Sequence, residues 1–149
     1  MEARMEFAEF ERVAPGARAA LTALSKAATD GGLDKALIEL IKIRASQING
    51  CAFCLQFHLT LARAAGVPQR RLDLVAAWRE AGVYSQREMA ALEWTEALTK
   101  VTPQGIDDAV YATATASFNQ TELAALTAAV VGINAWNRIA IAYRFTPPE

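Results

Sequence analysis

Residues 39–58 read Glu39-LIKIRASQING-Cys51-AF-Cys54-LQF-His58. The first part belongs to a helix predicted from about Asp34 to Ile48, which carries Leu37, Ile38, Leu40, Ile41, Ile43 and Ile48. Apolar residues fall on nearly all of its sides, so this helix is expected to lie between other helices or between subunits. Asn49-Gly50 is a turn signal. A further helix is expected to begin near Cys51 and to end at Gly66, with Pro68 opening the next.

Outward from this segment the helix signals continue in series. Pro15 suits a first helical position, and the Ala/Leu run behind it stops near Gly31-Gly32. The helix opened by Pro68 is expected to stop near Gly82. Ser85 and Glu88 have capping-box spacing and start a helix to about Lys100. A short helix covers roughly Asp107 to Ser117, and Asn119 with Glu122 repeats the box before a last helix to about Arg144. Alanine occurs 32 times against 16 for valine plus isoleucine, which favours helix over strand. The reading is all-α: one domain over residues 1–149, a bundle of about six to seven helices.

Composition bounds the function. Of 149 residues, 53% are hydrophobic and 21% charged, which excludes a disordered chain. The formal charge of −1, from 15 basic and 16 acidic residues, gives no attraction to nucleic acid or an anionic membrane. The stretch Leu123 to Ala142 has the length of a membrane span, but Asn134, Asn137 and Arg138 sit inside it and would be costly in lipid. It reads as a buried helix, with the polar residues serving a hydrogen-bond network or a subunit contact. MEARMEFAEFERV carries charge throughout and no apolar signal core, so the expected location is the cytoplasm. Two cysteines in a reducing compartment point to catalytic or metal-binding use before a structural disulfide.

Those cysteines and the single histidine all fall in the quoted segment. Cys54 and His58 are four apart and share one helix face. Cys51 and Cys54 are close enough to form a disulfide after small adjustments. Cys51 falls in a first turn, where free N–H groups and the helix dipole favour a thiolate. Glu39 precedes Gly50 by roughly 16 Å of helix and His58 follows it by roughly 12 Å. If the two helices fold back antiparallel, Glu39 comes level with His58 more nearly than with the cysteines. Glu39 would then orient His58, and His58 would take the proton of a thiol. Two thiols beside a base suit redox chemistry in which one becomes a sulfenic acid and the other condenses with it. Phe53 and Phe57 would wall the thiol pocket, as suits an apolar substrate.

The same atoms admit other uses. The cysteines could be small core residues and His58 a satisfied core histidine. Glu39 could be a surface residue paired with Lys42. Glu39, Cys51, Cys54 and His58 could hold a zinc ion, although Cys-x2-Cys-x3-His on one helix is cramped for a tetrahedron.

A glutamate, eleven residues, CxxC, three residues and a histidine resemble the core motif of the AhpD-like alkylhydroperoxidases, in the wider carboxymuconolactone decarboxylase superfamily. The motif covers Glu39 to His58, and the broader resemblance covers about residues 33–81. It implies an all-α fold, association as trimers or hexamers, and thiol peroxidase activity on organic hydroperoxides. It implies Cys54 as the peroxidatic cysteine, Cys51 as the resolving one, and His58 with Glu39 as the proton relay. It implies no bound cofactor, and an external thiol or dithiol as reductant. Phe53 stands where the best-studied members carry a second histidine, so the relay here is one member shorter. A CxxC disulfide reductase or redox sensor, and a zinc-binding structural oligomer, are the competing readings.

Overall fold

The computed structural model describes residues 1–149. The helices are α1 (Phe7–Val13), α2 (Pro15–Asp30), α3 (Lys35–Asn49), α4 (Ala52–Ala64) and α5 (Gln69–Leu74). After a 3-10 turn, Val75–Ala77, come α6 (Trp78–Ala81), α7 (Gln86–Thr99), α8 (Asp108–Ser117) and α9 (Gln120–Tyr143). There is no strand, only an isolated bridge between Thr102 and Gly105. The all-α reading holds.

Local chemistry sets the boundaries. Asp34 caps α3 by accepting from the Leu37 N–H at 3.3 Å. Both capping boxes form, Ser85 with Glu88 and Asn119 with Glu122. α2 ends at Gly31, where an added Cβ would collide with the Ala125 methyl of α9. Two boundaries differ from expectation. The single helix expected over Pro68–Gly82 is broken by the 3-10 turn. Leu72, Val75 and Trp78 are all buried, and the three-residue repeat lines up most closely where the helix tightens to three residues per turn. α1 was not anticipated. It starts without a side-chain cap and is held by Phe10, which is buried.

α3 is the central rod. Leu37, Ile38, Leu40, Ile41 and Ile43 are all buried, and α4, α7 and α9 pack around it. Its apolar sides are thus covered within one chain. Each such side chain contributes about 1.5–3 kcal/mol on burial. Across α7, Glu96 accepts hydrogen bonds from Arg44 of α3 (2.9 Å), Trp78 (2.8 Å) and Arg79 of α6 (2.7 Å). Burial pushes this carboxyl up, but the three hydrogen bonds outweigh it and hold the group below the usual carboxylate range.

α9 is long and apolar enough to cross a membrane by composition and length. In this fold it packs along α2, α3 and α7. Its polar interruption is a network within the chain. Asn49 of α3 donates to Asn134 (2.9 Å) and Asn137 (2.8 Å), Asn134 donates to Thr99 of α7 (3.1 Å), and Asn137 donates to Ser46 (3.1 Å). Buried amides matched in this way avoid the cost of unpaired polar groups.

Candidate active site

The site is built on the junction of α3 and α4. Gly50 takes the left-handed conformation, φ 69°, that glycine adopts freely. The Gly50 N–H donates to the Gln47 carbonyl (3.2 Å) and the Cys51 N–H to the Ser46 carbonyl (3.0 Å), a Schellman closure. Cys51 is therefore the last residue fixed by α3. It is also the N-cap of α4, one residue before the first helical position expected for it. Its Sγ accepts from the Cys54 N–H at 3.3 Å. The tight turn sends α4 back along α3, with residues of α3 about three positions farther from Gly50 than the residues of α4 they face.

That register joins Glu39 to His58. His58 Nδ1 and Glu39 Oε2 are 2.7 Å apart, and the residues are 8% and 4% exposed. With Glu39 ionised, Nδ1 carries the hydrogen and Nε2 keeps its lone pair. Glu39 is not a surface residue paired with Lys42. No hydrogen bond joins His58 to Cys54, although both line one cavity of about 420 Å³. A proton passing between them needs a bridging water or the substrate itself.

The two sulfurs differ in setting. Cys54 borders the cavity shared with Glu39 and His58, whereas Cys51 borders a second one of about 350 Å³ with Arg144 and Phe145. Phe53 lies in the wall of both. Both cysteines are free thiols and buried. The Cys54 thiol donates to Cys51 sulfur, which is the main cause of a Cys51 pKa below the ordinary value. The Cys54 N–H and Asn137 add to it, and burial opposes it. The same partnership raises Cys54, with burial and the Cys51 charge acting in the same direction. The helix-start argument for Cys51 as the more acidic thiol agrees with this order.

Phe53 and Phe57 wall the cavity as expected, stacked with ring centroids 6.2 Å apart. Phe7 and Trp136 complete the apolar side. Two polar residues beside the site were read from the sequence in other roles, Asn137 chiefly in a hydrogen-bond network and Lys42 as a surface partner of Glu39. Asn137, held by Asn49 and Ser46, favours ionisation of both thiols, and its signal was an amide inside an apolar run. Lys42 lines the cavity, and its signal was a cation set between Ile41 and Ile43 in the apolar stretch of α3. Cys51, Cys54, His58 and Glu39 do not converge as a metal-holding cluster.

Comparison with known proteins agrees with this architecture. The chain belongs to the carboxymuconolactone decarboxylase family, whose model matches residues 15–97. It is 34% identical over 133 residues to the uncharacterized protein YdfG of Bacillus subtilis, covering 89% of this chain and 90% of that one. A crystal structure of a protein of unknown function from Agrobacterium tumefaciens, named for the antioxidant defence protein AhpD, superposes with a TM-score of 0.91. That protein is 37% identical, and the match covers 99% of both chains. An uncharacterized peroxidase-related protein from Ralstonia eutropha, described as an alkylhydroperoxidase AhpD core, shares the fold at 22% identity. Its TM-score is 0.81, with 95% of this chain and 75% of that one covered. The fold is thus AhpD-like, in a family that includes enzymes. A fold of this kind does not by itself fix the reaction.

Proposed function

We propose that the protein is a thiol peroxidase that reduces organic hydroperoxides, as the family resemblance implies. The observation that carries this reading is the buried Glu39–His58 pair in the same apolar cavity as Cys54, one helical turn from a second thiol. In the proposed cycle, His58 takes the proton of Cys54 with Glu39 steadying the imidazolium. The Cys54 thiolate attacks the terminal oxygen of the hydroperoxide. The O–O bond breaks, an alcohol leaves after protonation, and Cys54 becomes a sulfenic acid. Cys51 thiolate then attacks that sulfur, an S–S bond forms, and the departing hydroxide leaves as water. The two electrons reach the substrate from the thiol pair. An external thiol or dithiol returns the pair to the reduced state by disulfide exchange. No bound cofactor enters the cycle. The protein would work in the cytoplasm as a homo-oligomer, a trimer or a hexamer.

Intact mass with thiol counting tests this. Reduced protein is given one equivalent of an organic hydroperoxide beside Cys51→Ser and Cys54→Ser. The expected result is loss of both thiols in the wild type, a sulfenic acid on Cys54 in Cys51→Ser, and no reaction in Cys54→Ser. Thiols that survive the oxidant overturn the reading.

One observation favours a second reading, a disulfide reductase or redox sensor. The thiol with the lowered pKa is Cys51 at a helix start, the setting of a disulfide-exchange nucleophile. Such a protein exchanges with dithiols and ignores hydroperoxide, so the same assay with a disulfide probe separates the two.

A further inference from the structure

Lys42 is the one lysine or arginine among the buried residues, 9% exposed. Arg44 and Arg71, the half-buried arginines with side chains 15% and 23% exposed, each meet a carboxylate. Lys42 meets none within ion-pair distance. Its hydrogen-bond partner is the Ser25 hydroxyl of α2, 3.0 Å away, which uses one of three ammonium donors. A buried ammonium without a carboxylate is costly, so its place calls for a use.

That place is the cavity of Cys54. The register of α3 against α4 is fixed at both ends, by Glu39 with His58 and by Ser46 with Cys51. Lys42 lies three residues beyond Glu39 towards the turn, and Cys54 lies four residues before His58 towards the same turn. The two therefore stand at about the same level, on facing helices. His58 and Glu39, one turn further along, are occupied with each other. A hydroperoxide attacked by Cys54 releases an alkoxide, which is a poor leaving group until it is protonated. The imidazolium formed at His58 is one source of that proton, and the Lys42 ammonium, in the same cavity at the level of Cys54, is a second.

Building on the peroxidase reading, we propose that Lys42 is the general acid of the reaction, protonating the oxygen that departs as the O–O bond breaks. Cys54 thiolate and ROOH give Cys54 sulfenic acid and RO⁻, and RO⁻ with the Lys42 ammonium gives ROH and the neutral amine. Water restores the ammonium after the alcohol leaves. Burial lowers the Lys42 pKa, with the Glu39 charge opposing, so the proton is held less tightly than in water. This suits a donor.

The test compares oxidants that differ in leaving group. An alkyl hydroperoxide expels an alkoxide and needs an acid, whereas a peroxyacid expels a carboxylate and does not. Single-turnover oxidation of Cys54 is followed in wild type, Lys42→Met, Lys42→Gln and Lys42→Arg. General acids contribute about 10²-fold or more. The expected result is a loss of about a hundredfold with tert-butyl hydroperoxide in the Met and Gln variants. With peracetic acid the change stays within about threefold, and Lys42→Arg recovers part of the alkyl rate. Equal slowing with both oxidants, as from a disturbed cavity or a less acidic thiol, overturns the proposal. So does an unchanged alkyl rate. Wild type that reacts with neither oxidant overturns the peroxidase reading itself, a result distinct from the other two.

Discussion

Cys51 and Cys54 are one turn apart and share a hydrogen bond, yet their ionisation is pushed in opposite directions. The first negative charge of the pair rests on Cys51, while Cys54 borders the cavity that holds the histidine. Cys51→Ser removes the thiolate that opposes ionisation of Cys54. The Cys54 pKa is then expected to fall, read from the pH dependence of alkylation by iodoacetamide. Cys54→Ala is expected to raise Cys51 by removing its S–H donor, so Cys51 alkylates more slowly at neutral pH. Lys42 gives a pH dependence of stability. Its folded pKa lies below the ordinary 10.5, so between those values the unfolded chain binds more protons and stability rises with pH. Lys42→Met is expected to be more stable than wild type at neutral pH, with the gap narrowing towards pH 10.5 in urea titrations. A constant gap across that range contradicts the burial argument.

The α3–α4 hairpin was largely legible in the sequence because its instructions are local. Asn49-Gly50 marked the reversal, and comparable helix lengths on either side of that turn brought Glu39 nearer the level of His58 than of the cysteines. The two capping boxes were legible for the same reason, each being a pair three residues apart. α1 was not, because its start has no capping side chain and its aromatic anchors bury only against distant residues. The break before α6 was hidden because a 3-10 turn and an α-helix differ little in local pattern. Lys42 is held by Ser25 of α2 and Asn137 by Asn49 and Ser46 of α3, contacts that no neighbouring residue announces. Gly50 is the most sensitive point of the hairpin. Gly50→Ala forces a Cβ into the left-handed region and is expected to cost about 1–2 kcal/mol in chemical denaturation. It is also expected to slow thiol oxidation, because Cys51 is set by that turn.

In the whole molecule, the apolar sides of α3 are satisfied within one chain, so α3 gives no argument for assembly. Val131 and Ile141 of α9, with Tyr111 of α8 and Phe57 beside the cavity, remain exposed. They are part of the apolar surface on which the proposed trimer or hexamer would assemble. Sedimentation velocity is expected to give three or six times the 16.1 kDa chain mass, and a 16.1 kDa species at micromolar concentration overturns the assembly.

The shared role of Cys51 as the end of one helix and the cap of the next has a practical result. The amide of Cys54 is held by the Cys51 sulfur. A sulfur drawn into a disulfide loses its thiolate charge and becomes a weaker acceptor for that amide. Deuterium uptake at the first turn of α4 should then quicken whenever Cys51 is oxidised, and slow again when it is reduced. The protein thus carries an unlabelled reporter of its own redox state in its backbone, one that mass spectrometry could follow without touching either thiol.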